Sequence, residues 1–194
     1  MSYQLRYLYT RGERFSYAVT SHTAISDPNA EDGGKKAEEV DLFWRAYHEV
    51  TDVTGDIYAF KMFIKGDSGK SSPSCAYSHD KQGVVLFEPK DVVGYQSPIR
   101  LPNEPVEIGD SWEEDGVVFT VHAFEPDGSD LIVIITVACD LDLSAEGGAG
   151  RMESGIRFST EKGRIASIRS ITRLSFESGR EVSSATDSHL EANV

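Results

Sequence analysis

Residues 131–143 read LIVIITVACDLDL, the longest apolar run in the chain. Ile and Val fit a pleated surface and lose rotamer freedom on a helix, so the run reads as a strand. One face carries Leu131, Val133, Ile135, Val137, Cys139, Leu141 and Leu143; the other carries Ile132, Ile134, Thr136 and Ala138 before turning polar at Asp140 and Asp142. That pattern predicts a central strand covered on both faces for its first two thirds and on one face beyond. At ~3.3 Å per residue the run exceeds ~40 Å, so a bend is expected near residues 138–140, where the second cover ends.

Working outward, Pro126-Asp127-Gly128 makes the turn to a partner strand at 117–124. Downstream, AEGGAG at 145–150 reads as a loop, followed by strands at 152–160, 165–176 and 180–190 with turns at 161–164 and 178–179. Upstream, Tyr3, Leu5, Tyr7 and Tyr9 alternate, Arg11-Gly12 turns, and Phe15, Tyr17 and Val19 alternate on the return, predicting a hairpin over 3–25. Residues 40–53 carry both a period-two pattern and a helical stripe; the aromatics and the turn at 53–56 favour a hairpin with 57–65. A short strand is expected at 83–88. Residues 97–110 hold three prolines and fit only an edge or a crossing, with Trp112 anchoring it to the core. The sum is one domain over 1–194, all-β and mainly antiparallel. About ten strands would form a single, large, strongly curved meander sheet, half-barrel-like, with little helix; a β-barrel or a sandwich is the alternative. Ten strands at ~4.8 Å each are too wide to stay flat.

The 32 Asp and Glu against 19 Lys and Arg give a formal charge of −13, a field that repels nucleic-acid phosphates. No run reaches the ~20 apolar residues of a spanning helix, and MSYQLRYLYT lacks the basic and apolar regions of a signal peptide. With Met1 as the native start the chain reads as cytoplasmic; with an export signal already removed it reads as extracytoplasmic. Cys75 and Cys139 read as free thiols.

Motifs that suggest chemistry lack their context. Gly66-Asp67-Ser68-Gly69 copies a serine-protease tetrapeptide without room upstream for His and Asp. Gly69-Lys70-Ser71 has no helix after it to present phosphate-binding N–H groups. Asp27, Asn29, Glu31 and Glu38 fall in a calcium-loop register, but position six is Asp32 and no helix precedes. Asp140, Asp142 and Glu146 read as strand-end acids. His22, His48, His79, His122 and His189 show no metal-ligand spacing. No catalytic residue, metal ligand or cofactor site is predicted, and the chain reads as a non-catalytic protein.

Candidate lining residues remain. Tyr7, Tyr9, Phe15, Tyr17, Trp44, Tyr58, Phe60 and Met62 fit either plain sheet core or the wall of a concave apolar site. On the second reading the concave face takes a lipid or a hydrophobic peptide. The alternative is a structural or protein-interaction module working through its acidic surface or an open sheet edge.

The succession of hairpins around LPNEPVEIGDSW, residues 101–112, resembles uncharacterised bacterial β-proteins akin to the LolA/LppX-like half-barrel lipoprotein group. The resemblance implies one curved antiparallel sheet whose concave face receives acyl chains, and it implies no catalytic residue. The chain lacks that group's lipidated N-terminal Cys and its lid helices.

Overall fold

A computed structural model describes residues 2–29, 36–88 and 97–191, with backbone alone for 36 and 37. Alternating β-branched and aromatic residues extend into eleven strands: β1 Arg14–Asp27, β2 Lys36–Thr54, β3 Ile57–Gly66, β4 Cys75–Asp80, β5 Val85–Phe87, β6 Ser111–Glu114, β7 Val117–Asp127, β8 Asp130–Leu143, β9 Gly148–Ser159, β10 Arg164–Phe176 and β11 Glu181–Glu191. One 3₁₀ turn, Ser144–Glu146, is the helical content among the described residues. All strands join one antiparallel sheet in the order β5-β4-β3-β2-β1-β11-β10-β9-β8-β7-β6, curved but not closed into a barrel.

Sheet neighbours are neighbours in sequence except β1 and β11, which pair mid-sheet from Ser16↔Glu191 to Ser26↔Glu181. The two edges are therefore β5 and β6, consecutive strands whose long connection runs from one rim of the sheet to the other. Residues 97–106 of that connection cross the core side. Leu101 N–H donates to Gln82 O at the β4–β5 turn, and Trp112 Nε1–H donates to Arg100 O beside β6.

Residues 3–9 correct the expected first hairpin. They are extended, but only Tyr3 forms a bridge, to Val106, and the segment lies across the inner face rather than in the sheet. Tyr7 N–H donates to Lys81 O and Leu8 N–H to Gly163 O, which ties the strap to turns on both arms. Leu5 and Tyr7 are 0% and 2% exposed. A period-two pattern reports an extended chain with one buried side; it does not say that the burial is against sheet partners. β4 was missed because the Ser- and Pro-rich residues 71–74 masked the alternation of Cys75, Tyr77 and His79.

The central strand is also covered less than expected. Beyond Ile132 and half-buried Ile134 its second face is only partly covered, with Thr136 exposed and Ala138 half-buried. Its pairing with β9 runs unbroken from Ile132 to Leu143; the nearby irregularity is a bulge in β7 at His122, whose side chain is exposed. The predicted loop at 145–150 is the 3₁₀ turn followed directly by β9.

Opposite faces of the sheet differ in chemistry. The inner face holds one core that draws on every strand arm and on the strap, from Val50, Phe60 and Met62 to Val121, Val133, Ile135 and Phe158. The outer face carries cross-strand ion pairs, among them Arg14–Glu49, Arg157–Glu125 and Arg151 with Asp140 and Glu153. Each exposed pair adds little stability, ~0–1 kcal/mol, but together they fix which face meets water.

Candidate functional site

Tyr7, Tyr9, Phe15, Tyr17 and Met62 wall one cavity beneath the strap, joined by His48, Tyr77, His79, Ile165 and Ile168. Tyr58 and Phe60 stand behind that wall, each edge-on to Tyr9 at 5.2 and 4.9 Å between ring centres. Trp44 does not join them; the register sets it farther along β2, between Val19 and Gly66. Seven of the eight predicted lining residues therefore gather at one end of the inner face, and Trp44 marks where a different part begins.

Rings at that end pack on one another. Phe15 lies flat on His48 at 5.0 Å, Phe60 on Tyr77 at 4.5 Å, and Tyr7 meets Phe158 of the opposite arm at 5.6 Å. The hydroxyls of Tyr58 and Tyr17 donate to Tyr7 O and Ile165 O, so strap and arms are bonded as well as packed. Arg164, 6% exposed, spans the group: its guanidinium sits 5.1 Å over Tyr9 and 5.2 Å over Phe15 and donates to Glu13 at 2.6 Å. Sequence reasoning missed Arg164, which sat in a predicted turn, and His48, Tyr77 and His79, whose partners lie on other strands.

Burial sets the protonation of this cluster. It pushes the His48 imidazole down to about 3, and it lowers His79 against the opposing pull of Asp80. His48 Nδ1 lies 2.9 Å from the Tyr77 hydroxyl, and His79 Nδ1–H donates to Asp80 O at 2.7 Å. Burial also raises Tyr7, Tyr9 and Tyr17 well above the ordinary phenol range. The His48 and His79 imidazoles and the Tyr7, Tyr9 and Tyr17 phenols are neutral at physiological pH, and the imidazole hydrogen bonds go to a phenol and a backbone carbonyl rather than to a carboxylate. Its cavity measures about 60 Å³. A cavity of ~150 Å³ is needed to take benzene, so this one has no room for an acyl chain.

The inner face continues past the strap. Successive rows across β1, β11, β10, β9 and β8 read Ser21–Thr186–Ser170–Ser154–Val137, then Thr23–Ser184–Thr172–Met152–Cys139, then Ile25–Val182–Leu174–Gly150–Leu141. All but Val137 are half-buried, and none is charged in a chain that is 26% charged. The hydroxyls satisfy one another: Thr23 with Ser184 at 3.0 Å, Thr186 with Ser21 at 3.2 Å, Ser154 with Ser170 at 2.8 Å. Leu174 leans over Gly150, where any Cβ would meet its methyl at 2.4 Å. The face is aliphatic at its rim and hydroxyl-lined toward the core.

Other flagged residues hold structural posts. Ser68 is exposed in the turn after β3. Glu38 lies in β2 opposite Ile25, so no twelve-residue calcium loop forms; Glu31 lies outside the described residues. Asp140 pairs with Arg151, and Asp142 accepts the Ser144 N–H at 2.9 Å. Cys75 and Cys139 are free thiols. Among the described residues no group of His, Cys, Asp or Glu is arranged to hold a metal, and no helix is long and apolar enough to cross a membrane. No family model matches the chain, and no curated protein matches it.

Proposed function

We propose that the protein is a non-catalytic binding module that holds an uncharged apolar molecule of the acyl-chain kind on the part of the inner face that the strap leaves open. The observation that carries this reading is the uncharged, half-buried stretch of Ile25, Val182, Leu174, Met152 and Leu141 beside hydroxyl rows, bounded on β2 by Glu38 and set against an outer face studded with ion pairs. Aliphatic side chains at the rim receive a hydrocarbon chain, and the hydroxyls toward the core meet an uncharged polar head. The aromatic end is the packed floor that fixes the curvature, and the ligand lies beside it. The LolA/LppX resemblance supports the same ligand class.

Dodecyl maltoside below its micelle concentration is the probe. It raises Tm and adds its mass in native mass spectrometry, whereas dodecyl sulfate and dodecyltrimethylammonium bind more weakly at matched chain length. Leu174→Arg places a charge in the face and removes the effect with the fold intact. A clean unliganded mass with no Tm change in the neutral detergent would sink the proposal.

A further inference from the structure

Along β2 the pairing with β3 begins at Trp44↔Gly66, while pairing with β1 continues to Asp27↔Lys36. Residues 38–43 therefore have a strand on one side and none on the other among the described residues. Val50 exchanges both backbone hydrogen bonds on the β1 side, with Gly12 and Glu13. Backbone groups alternate sides along a strand, and the β1–β2 register is unbroken, so Glu39, Asp41 and Phe43 turn their N–H and C=O outward. This margin is longer than the rim strands β5 and β6, which have three and four residues. Val40 and Leu42 are 44% and 56% exposed on its inner side.

We propose that this margin docks a basic, extended segment of another protein by strand addition, along the edge that borders the inner-face ligand site. An unpaired margin is a template for another strand. Its charge selects the partner: Glu38, Glu39 and Asp41 lie on it and Asp67 flanks its β3 end, while two of the nearby cations are already paired, His22 with Asp41 and Arg45 with Glu191. Two copies of this chain laid edge to edge would set these carboxylates against one another, which disfavours self-pairing. A partner strand with Lys or Arg at alternate positions and aliphatics between them matches both the carboxylates and Val40 and Leu42.

Hydrogen exchange and calorimetry on the full chain with a nine-residue peptide of alternating Lys and Val, against its Glu-for-Lys counterpart, test this. The Lys peptide binds at least tenfold tighter, weakens with added salt, and protects the amides of Glu39, Asp41 and Phe43. Glu39→Pro removes an outward N–H without touching the β1 pairing and lowers affinity at least tenfold. The triple change E38K, E39K and D41K inverts the peptide preference. Failure to bind, equal binding of both peptides, protection elsewhere, or a dimer protected at 38–43 overturns the proposal.

Discussion

Gly163 stands where any side chain would enter Leu8: a Cβ built there lies 2.5 Å from the Leu8 Cβ and Cγ and 2.6 Å from its backbone nitrogen, and the residue has φ +56°. Leu8 N–H donates to Gly163 O, so the same residue that leaves space for the strap also holds it. Gly163→Ala should cost roughly 2–4 kcal/mol, from overpacking plus left-handed backbone strain. Chemical denaturation measures the loss, and hydrogen exchange should show it concentrated over residues 3–9 and the β9–β10 turn.

Arg164 and Glu13 form the most buried ion pair among the described residues, with side chains 7% and 21% exposed. Removing one partner leaves the other without a counter-charge, so Arg164→Met should cost about 3–5 kcal/mol. Glu13 also accepts the Thr10 N–H at 3.1 Å. Glu13→Gln keeps an acceptor there and should cost less. A double-mutant cycle by urea melts gives a coupling energy of at least ~1 kcal/mol.

Stability should fall as pH drops from about 6.5 toward 4.5. Burial holds His48 neutral in the folded protein down to about 3, and His79 is lowered in the same direction. Below the ordinary histidine value near ~6.5, the unfolded chain gains protons that the folded chain refuses. The contribution is complete above that value and is lost downward at up to ~1.4 kcal/mol per pH unit for each such group. His48→Phe should flatten this window in a Tm-against-pH series while leaving the carboxylate-driven loss below pH ~4.

The indole Nε1–H of Trp44 is buried with no hydrogen-bond partner among the described residues. Leaving a donor unsatisfied costs about 1–3 kcal/mol, which offsets much of what the larger ring contributes by packing. Trp44→Phe should therefore change stability by less than ~1 kcal/mol, unlike Trp112→Phe, which loses the bond to Arg100 O. Parallel denaturation of the two variants checks the contrast.

Strand content was legible because Phe15, Tyr17, Val19 and their successors keep strict alternation with turn residues between runs. Alternation is a local signal, and what escaped it was long-range. Tyr3 to Tyr9 show the pattern of a sheet strand yet act as a plug, because period two records a one-sided extended chain and not its partner. Among the candidate lining residues, seven gather at the aromatic end around a cavity of about 60 Å³. Trp44 does not, since residues on one face of a long strand are spread along it at ~3.3 Å each, and Trp44 falls opposite Val19, past the ring cluster. The hydroxyl rows were invisible in the sequence: Ser21, Thr186, Ser170 and Ser154 become a row only once three registers are known.

The pairing of β1 with β11 has a consequence for how the chain assembles. Every other seam is a hairpin or a near neighbour, able to zip from a local turn, while this one joins Ser16 to Glu191. Closing so long a loop is entropically costly and slows folding relative to local contacts. The two arms can form early as independent meanders, one from β1 to β5 and one from β6 to β11, and the native curvature appears only when their outermost strands meet. A covalent link between the ends would close that last seam through the strap instead of through the whole chain, and a chain so joined should fold faster with its sheet unchanged.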